Sequence, residues 1–245
     1  MTSRTMLQSA NLARACPRRG LRALVQAVCS VGVMATASAQ GIYPGNPAKD
    51  AYLLPGGFEP VVQLRTCYLD QESLTGVPSE AWALGGWAGL RSPWWGDVFQ
   101  VGFVGYTSQK LYGPDDKDGT RLLSPGQEQI TVLGEAFGAV RILGQTLTGY
   151  RQLVNRPFIN PRDNRMVPQT FEAYTLTGSA KDISYTGGYI TKMKLRESDS
   201  FTWMSNTAGG TGSQKGVIYA GGTWDFVKNG YVKMDDQYGV DVFNT

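Results

Sequence analysis

The stretch from Asn155 to Tyr174, NRPFINPRDNRMVPQTFEAY, gathers Arg156, Asn160, Arg162, Asp163 and Arg165 within ten residues, together with three prolines. An arginine guanidinium is a planar fork that holds a carboxylate through two parallel hydrogen bonds. At an effective dielectric of about 20 and a separation of ~4 Å, that attraction is roughly 4 kcal/mol before either group is stripped of water. The net hold on an anionic solute is therefore weak. Two other uses of the same side chains stay open. The arginines can pair with Asp163, Glu172 and Glu135 and pin the stretch to its surroundings, or Glu128 with Glu135, or Asp163 with Glu172, can form the acid pair of an envelope hydrolase. Asn160-Pro161 and Val167-Pro168 restrict the backbone on either side of the charged core, which predicts a held loop.

Composition removes much other chemistry. The chain has no histidine, so His-based triads and His-ligated metals are excluded. Residues 1–39 hold five arginines, no acidic residue, the apolar run Ala23 to Met34 and then Ala37-Ser38-Ala39, the order of a cleaved secretory signal peptide. The apolar run is short of the ~20 residues of a spanning helix. The leader contains two of the three cysteines, leaving Cys67 alone, so no internal disulfide forms. It also contains 5 of the 23 basic residues, which leaves 18 against 20 acidic ones and a net charge of −2. The exported part lacks the basic excess of a nucleic-acid binder. No metal or cofactor is expected. In GPDDKDG, Gly113 to Gly119, the acidic spacing lacks the glutamate of a calcium loop and reads as a solvated loop.

The elements that position these residues alternate with period two. In VVQLRTCYL, Val62, Leu64 and Tyr68 share one face and Gln63, Arg65 and Cys67 the other. Phe99, Val101 and Phe103 oppose Gln100, Gly102 and Val104. In QITVLGEAFGAVRIL, unbroken alternation puts Thr131, Leu133, Glu135, Phe137, Ala139 and Arg141 together on a side facing water. Further strands are expected at Ala81 to Leu90, Gln145 to Val154, Phe171 to Gly178, Ile183 to Thr191, Gly216 to Phe226 and Tyr231 to Tyr238. Short turns, SPWWGD and LGQ, alternate with long polar connections. About nine strands near the ~10 residues that cross an outer membrane, with aromatics near their ends, predict a transmembrane antiparallel β-barrel. A secreted or periplasmic β-sandwich that binds a ligand has the same periodicity. Glycines inside the strands, which weaken a soluble sheet, favour the barrel.

LRTCYLDQ, GYTSQKLYGPDDKDGTRLL and above all GYRQLVNRPFINPRDNRMVPQTFEAYTL resemble the OprD family of substrate-specific outer-membrane porins, over about Val61 to Phe226. The resemblance implies an all-β barrel of eighteen strands, of which this chain supplies about the N-terminal half. It implies passive diffusion of small polar solutes, carboxylates or amino acids, and a homotrimeric or loose association. The surroundings it implies are outer-membrane lipid, lipopolysaccharide and the assembly machinery of a Gram-negative envelope. It makes residues 155–170 the inward loop that narrows the pore, where hydrated charges face solute and weak binding suits conduction. Arg65, Glu135, Arg141 and Arg151 are then the charged residues expected on the lumen wall. Arg65 matches the family's Leu-Arg-x-x-Tyr pattern, with Cys67 standing where relatives carry an aromatic. Because nine strands are half of eighteen and an open sheet leaves edge amides unpaired in hydrocarbon, the chain is expected to be part of a longer product. The ending VDVFNT, without a terminal aromatic, agrees with that expectation.

Overall fold

The computed structural model describes residues 26–28 (backbone alone), 53–72, 76–210, 212–227 and 230–239. The expected signal peptide lies outside the described residues apart from the backbone of Gln26–Val28. Among the described residues the chain is one antiparallel, 11-stranded sheet, not two packed sheets, so the sandwich reading is corrected.

In chain order the strands are β1 (Gln26–Val28), β2 (Glu59–Glu72), β3 (Pro78–Arg91), β4 (Phe99–Tyr112), β5 (Ile130–Ile142), β6 (Gln145–Gln152), β7 (Thr170–Ala180), β8 (Ile183–Lys194), β9 (Phe201–Trp203), β10 (Val217–Val227) and β11 (Gly230–Gly239). The nine long ones are the nine expected from alternation. Each pairs with its neighbour in sequence, except that β9 lies beside the far end of β8 and β10 takes the next place in the sheet. The two long polar connections, read as TSQKLYGPDDKDGTRLLSPGQE and KMKLRESDSFTWMSNTAGGTGSQ, begin later, because β4 runs on to Tyr112 and β8 to Lys194.

The outer face is apolar and exposed, with Val62, Leu64, Trp82, Leu84, Phe103, Leu147, Tyr174 and Ile218 all uncovered. That is the pattern of a wall facing lipid. No helix among the described residues is long and apolar enough to cross a membrane. Opposite Leu133 the alternation of β5 shifts. Register passes from Gly105↔Leu133 to Val104↔Glu135, so Gly134 is an extra residue, a β-bulge. Thr131 and Leu133 therefore face away from Glu135, Phe137, Ala139 and Arg141, which corrects the single six-residue face expected above. Gly134 is needed there because a Cβ on it would sit 2.2 Å from the Tyr106 ring.

The sheet is curled. From β2 to β11 there are eight strand steps, about 38 Å at ~4.8 Å each. Yet one connection, residues 153–169, bonds to Arg65 on β2 and, through Arg156, to Asp235 on β11. The seven Cα steps from Arg156 to Asp163 reach at most ~25 Å when extended, and an Arg156 N–H to Ile159 O bond of 2.6 Å folds their start. Curling of the sheet brings both of its margins to that short segment.

Candidate functional site

The segment between β6 and β7 crosses the concave face on two apolar anchors. Near its start, Val154 and Ile159 are buried with Phe171 and Ala173 of β7, Ile190 of β8 and Tyr219 of β10. Near its end, Met166 and Val167 are buried with Ala81 and Ala83 of β3, Val104 and Tyr106 of β4, and Leu122 and Leu123 of the connection after β4. Burying side chains of this size gives roughly 1.5–3 kcal/mol each, so the anchors hold the segment by themselves. Between them run Asn160 to Arg165, with Arg162, Asp163 and Asn164 exposed and the others half-buried.

Along the segment, four of the five expected residues make bonds that fix it, Asn160, Asp163 and Arg165 in the polar middle and Arg156 just before the Ile159 anchor. Asp163 receives a two-pronged bond from Arg65, Nη1 to Oδ1 at 2.5 Å and Nη2 to Oδ2 at 2.7 Å, and Arg65 Nη1 also donates to the Arg165 carbonyl at 2.9 Å. The Arg65 guanidinium is stacked 4.3 Å over Trp87 of β3. Arg156 pairs with Asp235. Arg165 donates from Nε to the Thr120 carbonyl at 3.0 Å and from Nη1 to the Asn164 carbonyl at 2.9 Å. The Asn160 side chain accepts from the Arg162 backbone N–H at 3.1 Å, a local turn that the type of residue favours. Arg162 itself is exposed, has a left-handed φ of 44°, and its guanidinium makes no hydrogen bond or ion pair among the described residues. The pinning partners are therefore Arg65, Asp235 and a loop carbonyl, not Glu172 and Glu135.

On the wall, Glu135 is buried, accepting from Tyr106 Oη at 2.6 Å and pairing with Arg91 Nη2 at 3.3 Å. Arg91 is buried as well, and Glu59 lies 3.9 Å from its Nη1. Arg141 lies on the same face, its guanidinium 3.9 Å over Trp94. Arg91, Trp94, Gln100, Glu135 and Arg141 line a concavity of about 870 Å³ at the short-turn end of the sheet. Arg151 goes elsewhere. Register aligns it with Glu172, Lys192 and Trp203 across β6, β7, β8 and β9, on the face opposite Gln152 and Phe171. It bonds Glu172 at 3.2 Å and caps the Phe201 ring at 4.2 Å. It shares parity along β6 with the exposed Leu147, which is why it leaves the lumen side where it was expected.

Arg91 was missed because the expected strand stopped at Leu90. One more step of the alternation through Gly85, Trp87 and Gly89 points to it. Asp235 and Thr120 had no signal, since only long-range register brings them to the segment. Three of the four carboxylates of the suggested acid pairs are engaged by cations: Asp163 by Arg65, Glu135 by Arg91, and Glu172 by Arg151 and Lys192. Asp118 of the GPDDKDG loop is an internal cap, accepting from the N–H groups of Gly119 at 2.6 Å and Gly126 at 2.7 Å. Outside the strands, Lys117 is bonded to Glu80 at 2.6 Å, and that bond raises the lysine pKa above its usual value.

Solved structures share this arrangement of strands. OccK9 (OpdG) of Pseudomonas aeruginosa is similar at a TM-score of 0.61 and 21% identity, over 73% of this chain and 49% of that one. A BenF-like porin from Pseudomonas fluorescens Pf-5 has a TM-score of 0.60 and 20% identity, over 71% and 48%. OpdK of Pseudomonas aeruginosa, solved with vanillate, has a TM-score of 0.59 and 20% identity, over 71% and 46%. The chain thus spans about half the length of the solved proteins it matches. No curated protein matches it in sequence. The family model described as "outer membrane porin, OprD family" matches residues 57–240, nearly all of the sheet and the whole crossing segment. This chain belongs to the OprD family of outer-membrane porins.

Proposed function

We propose that the chain forms wall strands of a passive, water-filled channel through a Gram-negative outer membrane, and that residues 153–169 narrow it. The channel passes small polar solutes, with a preference for anions. One observation carries this reading: the segment is bonded to β2 through Asp163 and to β11 through Arg156, while the exposed Arg162 guanidinium makes no hydrogen bond or ion pair among the described residues. A cation held in that position attracts a carboxylate and releases it again, which transit requires. Arg65 and Arg165 keep the segment in place while their charges add to the field, and Arg141 continues the positive lining toward the short-turn end. Vanillate, the compound in the OpdK structure, is a carboxylate and fits the same chemistry.

Around this core the reading places lipid and lipopolysaccharide against the apolar outer face, export through residues 1–39 as a cleaved signal, insertion by the assembly machinery and a homotrimeric association. The test is a planar bilayer holding the gene product that carries this sequence, under a KCl gradient. Arg162→Gln is expected to lower the anion-to-cation permeability ratio about fivefold, the factor that ~1 kcal/mol of lost attraction carries. An unchanged ratio would remove Arg162 from the path, and absence of any conductance would overturn the channel.

A further inference from the structure

Three connections at the long-loop end bring four arginines into one circuit, three of them through their guanidiniums and Arg162 through its backbone carbonyl. Arg121 comes from the connection after β4, Arg162 and Arg165 from the crossing segment, and Arg196 from the connection after β8. Arg165 bonds the Thr120 carbonyl, next to Arg121, and the Asn164 carbonyl. The Asn164 side-chain oxygen accepts from Arg196 Nη1 at 2.5 Å, and Asn164 N–H donates to the Arg162 carbonyl at 2.8 Å. Arg196 and Arg121 then meet at Glu197, at 3.7 and 4.0 Å. Glu197 is the one acidic side chain bonded within the circuit, because Asp163 is taken by Arg65. Four cations against one carboxylate leave a local charge of +3.

Like charges do not gather without a reason, and two costs are visible here. Arg121 and Arg162 both have left-handed backbone, at φ 59° and 44°, a strain that clusters at functional positions. Arg196 has its pKa lowered, first by burial and then by the neighbouring Arg165, with Arg121 and Arg162 adding to the effect. A singly charged solute engages one fork and leaves the others repelling. A solute with two or three negative groups spaced over a few ångströms engages several at once: of the five donors on each guanidinium, Arg165 and Arg196 commit some to protein oxygens and Arg162 commits none.

We propose that this circuit is a binding site for small multivalent anions, di- and tricarboxylates or phosphate esters, at the mouth of the channel. Its location rests on the channel reading, whereas its chemistry does not. Met166 and Val167, which follow Arg165 directly, are packed on the inner face of β3 and β4, so the circuit overhangs the concave side. A dissolved solute reaches it there, and lipid phosphates on the outer face do not.

The experiment titrates the gene product that carries this sequence, folded in detergent, with acetate, succinate and citrate by calorimetry at constant ionic strength. Affinity is expected to rise about tenfold with each added charge. Arg162→Gln is expected to weaken citrate about tenfold and acetate less than twofold, with Arg121→Gln acting in the same direction as a second exposed probe. Lys181→Gln, in the turn at the opposite end, is expected to change nothing. Equal affinities for the three acids, or a loss with Lys181→Gln as large as with Arg162→Gln, would overturn the site. Displacement of citrate by lipopolysaccharide would overturn its assignment to a solute. Loss of citrate binding with anion-selective conductance intact removes the site and keeps the channel. Citrate binding without conductance does the reverse.

Discussion

Arg162 and Arg165 lie three residues apart in sequence and have different tasks. Arg165 spends its donors on two carbonyls, whereas Arg162 spends none. Residue type showed that both can hold a carboxylate, but it cannot show which of them is already satisfied. That depends on Thr120, 45 residues away. Parity along a strand was more telling: Arg65 and Arg141 lie on the polar face that alternation gave them. Arg151 was read by its charge, although its parity matched Leu147, and it lies with Leu147. Lys117 gives a pH test at this scale. Its folded-state pKa is raised above the ordinary 10.5, so its contribution is complete below that value and is lost as pH rises through the raised one. The melting temperature of the folded chain is therefore expected to fall more steeply above pH ~10.5 in the native protein than in Lys117→Gln, while parallel curves would show that the bond is idle.

At the scale of elements, β5 shows what period-two reading can and cannot see. Its existence and span follow from QITVLGEAFGAVRIL, but the extra residue at Gly134 reverses which side chains share a face, and alternation has no signature for a single inserted residue. The bulge has a structural use. It opens room for the Tyr106 ring, whose hydroxyl donates to Glu135, and so holds the buried Arg91 and Glu135 pair in register. Gly134→Ala is expected to push the ring away and destabilise the folded chain by about 1–3 kcal/mol, the usual cost of overpacking. Urea unfolding of the detergent-folded protein measures this. A change under ~0.5 kcal/mol would mean that the bulge does not depend on glycine.

For the whole molecule, nine long strands, their neighbour-to-neighbour order and the split between short turns and long connections could all be read from local sequence, because each is a local property. The path of residues 153–169 could not. Its ties run from Asp163 to Arg65 and from Arg156 to Asp235, separations of 98 and 79 residues, and the family resemblance pointed to it before any spacing did. The central claim is that this segment is pinned across the concave face and sets the width of the path. Single-channel conductance of the Arg156→Gln, Asp163→Asn double variant, in the gene product that carries this sequence, tests it most directly. Each substitution removes one ion pair, worth on the order of 1 kcal/mol at these exposures, and leaves the apolar anchors. Larger and noisier single-channel currents than the native protein's are expected, from a polar middle free to move. Currents of the same size and steadiness as the native ones would contradict the claim.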